Sequence, residues 1–162
     1  METIIRPARK DDLETLREFQ QGIVAHERPF DTGIPKEGEV GGEVEYYDIE
    51  KLLEDEKTYF VVAEIGNSLV GCGFGQIREN LPWEVHPQYG YVGLMYVKPE
   101  YRRKEIARRV VQTLISWFGE RGIGHIVIQV YHENSNAVAA YRSYGFTDFL
   151  LQMRFDPKND DP

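Results

Sequence analysis

The sequence predicts an α/β domain. Short β-branched runs alternate with apolar residues at helical spacing, and a strand hairpin precedes two strand-helix units. With 162 residues and 18.8 kDa, the chain is the size of one domain, and 41% hydrophobic residues supply a core. The expectation is a single domain over residues 1–155 followed by a polar tail at 156–162.

Each element follows in order. Residues 3–6 are a β-rich run that stops at Pro7. Leu13, Leu16, Phe19, Ile23 and Val24 then recur at spacings of three and four, a helix that Asp11 or Asp12 can cap. Residues 28–42 hold two prolines and four glycines, which predicts a long irregular loop of the kind that binds ligands. A short helix is expected over 47–55, and residues 58–65 form a strand that turns at Gly66-Asn67 and returns over 68–77. Residues 89–97 are the next strand, closed by Pro99.

Beyond it, Ile106, Val110, Leu114, Trp117 and Phe118 mark a helix that stops at Gly122, with Ala107, Val111 and Ile115 as a second apolar line. A helix apolar on two adjacent lines packs a wide face against a sheet. Residues 125–131 alternate as a strand, Asn134 opens a helix that Gly145 ends, and residues 146–155 are expected to be the last strand.

Charge narrows the function. A net charge of −8 argues against a nucleic-acid partner held by its phosphates and favours a cationic small partner. No apolar run approaches the ~18 residues of a membrane span, and the charged N-terminus has no apolar secretion core, so the chain reads as soluble and cytoplasmic. Cys72 is the single cysteine and is expected to be a buried structural thiol. The histidines at 26, 86, 125 and 132 have no metal-ligand spacing, so no metal is expected. Gly71, Gly73 and Gly75 lie within a strand and read as places of close packing, not as a dinucleotide loop.

Chemistry concentrates between residues 91 and 146. Six basic residues against two acidic ones fall between Lys98 and Arg109, where a strand gives way to a helix. Free backbone N–H groups and the positive end of the helix dipole make such a junction an anion site. In contrast, residues 37–57 hold nine acids and two bases, a solvated face or a field that steers a cationic substrate.

Together with that basic block, Asn134, Ala137, Tyr141 and Gly145-Phe146 form a pattern that resembles the GNAT acyltransferase superfamily. The family's pyrophosphate signature (Gln or Arg, two residues, Gly, one residue, Gly or Ala) falls on Arg102, Glu105 and Ala107, and Glu105 departs from it. The resemblance implies a mixed, mostly antiparallel sheet flanked by helices, in which strands 89–97 and 125–131 are a splayed parallel pair. Acetyl-CoA would be the co-substrate, its pantetheine arm paired with Met95, Tyr96 and Val97 as an added strand would be. Its pyrophosphate would rest on Arg102, Arg103, Lys104, Glu105, Ile106, Ala107 and Arg108. A backbone N–H near Leu94 or Met95 would stabilise the oxyanion.

The same resemblance makes Tyr141 the general acid for the departing thiolate and gives Asn134 a contact to the pantetheine arm. Read from spacing alone, Tyr141 is a core aromatic and Asn134 an ordinary cap. The base is open among His26, Glu27, Glu84 and His86. The implied activity is acetyl transfer to a small-molecule or peptide primary amine, and the alternative is an impaired domain that only binds CoA or a metabolite. Replacing Glu105 by glycine is expected to tighten acetyl-CoA binding at a cost of up to about 1 kcal/mol in stability. Alternation of Phe149, Leu151, Met153 and Phe155 suggests a homodimer.

Overall fold

The computed structural model describes residues 2–31, 33–34 and 46–155. The expected polar tail at 156–162, the acidic residues 37–45 and much of the 28–42 loop lie outside the described residues.

Five strands form one sheet in the order of the chain: β1 (Thr3–Pro7), β2 (Thr58–Ile65), β3 (Ser68–Glu79), β4 (Gln88–Val97) and β5 (Ile126–Ile128). The first four pair antiparallel and β5 pairs parallel with β4, so the expected mixed sheet is present. On one face lie α1 (Leu13–Glu27) and α2 (Ile49–Glu54), whose Leu16, Phe19 and Ile49 pack with Phe60, Val62, Cys72 and Phe74. The other face is covered by α3 (Ile106–Glu120), where Ile106, Val110, Val111, Leu114, Trp117 and Phe118 are buried. Each such side chain contributes about 1.5–3 kcal/mol on leaving water. The last helix, α4 (Ser135–Ser143), is capped by Asn134, whose side chain accepts from the N–H of Ala137 at 3.3 Å.

Close packing accounts for the strand glycines. A Cβ at Gly71 would meet the Tyr96 carbonyl at 2.7 Å, and one at Gly75 would meet the Phe118 ring at 2.8 Å. Cys72 between them is buried, its Sγ donating to the Leu94 carbonyl at 3.5 Å, and burial pushes the thiol pKa up.

Two expectations are corrected. The strand foreseen over 125–131 keeps only Ile126–Ile128, because its partner β4 pairs with it only through Gly90, Tyr91 and Val92. Residues 146–155 are not a strand: no backbone hydrogen bond joins 147–155 to any described residue, and their side chains are exposed. A strand needs a partner edge, and alternation alone does not supply one.

Candidate active site

An irregularity in β4 opens the site. Opposite Cys72 and Phe74 of β3 stand Tyr96 and Gly93, so β4 carries one extra residue, and Leu94 takes up the kink with φ of +47°. The shift appears in the packing: Tyr91 and Leu94, three apart, share one face, while Val92 and Val97, five apart, share the other. Regular alternation would give even separations. Past Val92, β4 has no strand on its β5 side among the described residues, so the backbone of Met95, Tyr96 and Val97 offers an open edge there. An extended polyamide could add to it as a strand.

That edge leads to the start of α3. Arg103 and Glu105 both adopt left-handed backbone, with φ of +60° and +61°. Helix start and left-handed turn together present N–H groups of the kind that cradle a phosphate. Arg102, Arg103, Lys104 and Arg108 are exposed around it, and Arg102 Nε donates to the Val97 carbonyl at 3.1 Å, tying the turn to the end of β4. The Glu105 carboxylate is exposed and reaches Arg108 Nη1 at 3.4 Å. Ile106 is buried beneath and Ala107 is half-buried. A diphosphate fits this donor set.

The left-handed φ also corrects the stability expectation for residue 105. Glycine adopts this conformation without the penalty an L side chain meets, so replacing Glu105 relieves strain instead of adding cost.

Tyr141 is held from α4. Burial pushes its hydroxyl pKa well above the ordinary tyrosine range, with added effect from Tyr144 and the negative charge of Glu27. Glu27 stands at the end of α1. Its carboxyl is half-buried and shifted upward by burial and by Asp31, against a 3.1 Å hydrogen bond donated by Tyr46. Beside it, Tyr131 donates to Asp31 at 3.0 Å and stacks on Phe30 with ring centroids 6.2 Å apart. Arg154 grips Asp31 with contacts of 2.8 and 3.2 Å, holding that carboxyl well below the usual range. The result is a half-buried acid walled by aromatic rings, a setting suited to an ammonium group.

Of the four candidate bases, Glu27 and His26 both reach this group, and of the two Glu27 is the half-buried one. His26 is exposed with its ring against Phe30, while Glu84 and His86 lie in the exposed turn before β4, at the paired end of that strand and not at the open one. Sequence reasoning missed Tyr46, Tyr131, Phe30 and Asp31. They come from three separate stretches with no shared spacing, and only the density of tyrosines hints at them. Among the described residues no group of three or more His, Cys, Asp or Glu could hold a metal.

The family model for the acetyltransferase (GNAT) family matches residues 23–146, well over half of the chain. The chain belongs to the GNAT family. The N-alpha-acetyltransferase RimI of Mycobacterium tuberculosis is 31% identical over 104 residues, which are 64% of this chain and 61% of that protein. Matches span between 23% and 61% of the length of the curated relatives. A mutant of the BH1408 protein of Bacillus halodurans has the same fold, with a TM-score of 0.83 at 19% identity, covering 94% of this chain and 98% of that one. So does the aminoglycoside acetyltransferase AAC(6')-Iy in complex with a CoA bisubstrate analog, with a TM-score of 0.71 at 16% identity, covering 96% and 98%. Among the described residues of this GNAT chain, no helix is long and apolar enough to cross a membrane.

Proposed function

We propose that this GNAT chain transfers an acetyl group from acetyl-CoA to a primary amine by direct attack. The observation that carries the reading is the open edge of β4 at Met95, Tyr96 and Val97, which leads to the left-handed turn at the start of α3, with the charge of Glu27 acting on the Tyr141 hydroxyl. One is a carboxylate able to take a proton, the other a hydroxyl that stays protonated. In this reading the pantetheine arm lies along Met95, Tyr96 and Val97, and its pyrophosphate on the N–H groups from Arg103 to Arg108, with Asn134 flanking the arm. The CoA complex of a protein with this fold supports it.

The amine enters past Tyr46, Tyr131 and Phe30, whose rings and the charge of Glu27 favour the ammonium form. Glu27 removes a proton, the amine nitrogen forms its bond to the thioester carbonyl carbon, and the oxyanion is met by the backbone N–H of Leu94 or Met95. The C–S bond then breaks as Tyr141 gives its proton to the departing thiolate, and the second proton lost by the nitrogen returns to the Tyr141 oxygen, leaving amide, thiol and protonated Glu27. Relatives named as N-acetyltransferases support amine acceptance.

Incubation with acetyl-CoA and a panel of primary amines, following release of free thiol, tests the proposal. Amine-dependent release supports it. Thermal stabilisation by CoA with no release from any amine would favour a binding module instead.

A further inference from the structure

The face of the sheet under α1 and α2 carries a cation with no counter-charge among the described residues. Arg78 of β3 is half-buried, and its guanidinium carbon lies 3.6 Å from the centre of the Tyr91 ring, which packs on that face. Its Nε donates to Gln76 Oε1 at 2.9 Å, and the other end of that amide donates to Asp55 Oδ2 at 3.0 Å. Gln76 thus stands between the arginine and the carboxylate that could have paired with it. Asp55 is occupied besides, accepting from the Thr58 hydroxyl at 2.6 Å and from the Lys57 N–H at 3.1 Å. Among the described residues no carboxylate pairs with Arg78, and neither of its Nη groups has an acceptor.

This cation belongs to the same wall as Glu27. The Tyr91 hydroxyl meets that of Tyr47 at 3.0 Å, the Tyr47 ring meets that of Tyr46 edge to face at 5.0 Å, and the Tyr46 hydroxyl donates to Glu27 at 3.1 Å. A guanidinium and a carboxylate therefore stand at the two ends of one run of three tyrosines. Two hydroxyl protons serve the single bond between Tyr47 and Tyr91, so one is left over, without an acceptor among the described residues. Tyr91 is buried and Tyr47 half-buried, and a covered donor gains most from an acceptor that a ligand brings.

We propose that Arg78 binds a carboxylate of the acceptor, so that the amine received at Glu27 belongs to an amino acid with its acid group at the far end; this rests on the transfer reading above. The planar fork of Nη donors matches the two oxygens of a carboxylate, and the Tyr91 stack and the Gln76 bond fix the fork before a ligand arrives. The leftover hydroxyl proton is a further donor on the same wall. Charge also sets the direction of binding. Glu27 and the rings beside it select the ammonium end, Arg78 selects the anionic end, and a molecule bound in reverse would meet like charge at both. Because the run of tyrosines lies between the two charges, the amine and the carboxylate of the acceptor stand several bonds apart.

Acetyl transfer and direct binding, measured separately, test this. γ-Aminobutyrate and ε-aminocaproate are each compared with the alkylamine of the same chain length, by release of free thiol for transfer and by calorimetric titration with CoA present for binding. The wild-type protein is expected to prefer each amino acid, and Arg78→Gln to shrink that preference by about ten-fold or more in kcat/KM and in affinity. Arg78→Lys, which keeps the charge and loses the fork, should fall between the two. Taking the ratio within one protein cancels any general damage from the substitution. Binding that depends on Arg78, with no transfer to any amine, would uphold this site and remove the transfer reading. Transfer without preference for the amino acids, or a preference that survives Arg78→Gln, overturns this proposal and leaves the transfer reading standing. Failure of both amino acids to bind or react overturns it too, and a stronger preference for aminoethyl phosphate overturns the choice of a carboxylate.

Discussion

Tyr141 and Phe146 are joined twice: the Phe146 N–H donates to the Tyr141 carbonyl at 3.1 Å, and their rings meet edge to face with centroids 6.0 Å apart. With Gly145 at φ of +105° and its N–H bonded to Arg142, this is a Schellman ending, and the aromatic contact is the apolar pair that accompanies it. The Gly-Phe pair that the sequence displays is thus the clamp on the proposed acid.

Replacing Tyr141 by Phe keeps that clamp and removes only the hydroxyl. Turnover should fall by about 10² or more, with acetyl-CoA affinity nearly unchanged. Steady-state kinetics and calorimetric titration check it, and unchanged turnover would remove the assignment.

Phe146→Ala should cost about 0.5–1.5 kcal/mol of stability beyond the loss of buried area and should lower kcat through a misplaced Tyr141. Combined with Tyr141→Phe it should lower kcat little further, since both act through one hydroxyl. Additive losses in this double-mutant cycle would make Phe146 purely structural.

Glu27 carries a sign that can be worked out. Its folded pKa lies above the unfolded value, so the folded state holds the proton more tightly, and stability is lost as pH rises through the folded pKa. Glu27→Gln should therefore melt at a higher temperature than the parent at neutral pH, with the difference closing below about pH 4. Activity should move the opposite way. The variant should lose about 10²-fold or more in kcat/KM and lack the acid limb of the pH profile, which in the parent lies above the ordinary glutamate range of about 4.3. A parent profile unchanged in the variant would exclude Glu27 as the base.

At position 105, glycine should raise stability by up to about 1 kcal/mol by removing a left-handed L residue, and should tighten acetyl-CoA binding several-fold by removing a carboxylate near the phosphates. Thermal melts and calorimetric titration separate the two effects. A lower melting temperature would show that the contact to Arg108 outweighs the backbone strain.

The elements of the proposed cofactor half were legible because local chemistry writes them: Asn134 caps α4, Gly145 ends it, and basic residues crowd the start of α3. Strands β2 to β4 and the buried line of α3 were legible for the same reason, through period and turn residues. The kink at Leu94 was not, since a leucine at positive φ has no sequence signature and is imposed by register against β3. Nor was the gathering of Glu27, Tyr46 and Tyr131, which exists only once α1 and β5 lie against the same strand. The failed strand at 146–155 has the right alternation, but pairing is a property of neighbours.

The kink at Leu94 also makes the lower and upper parts of β4 independent in inheritance. Because one surplus residue inverts the side-chain parity beyond it, losing that residue would turn Met95, Tyr96 and Val97 through the sheet at once, while Gln88 to Val92 stayed in register. Point changes anywhere along the strand can be absorbed singly. A deletion there cannot, so drift in this chain should proceed by exchange of side chains around the acceptor, with the length of β4 held fixed.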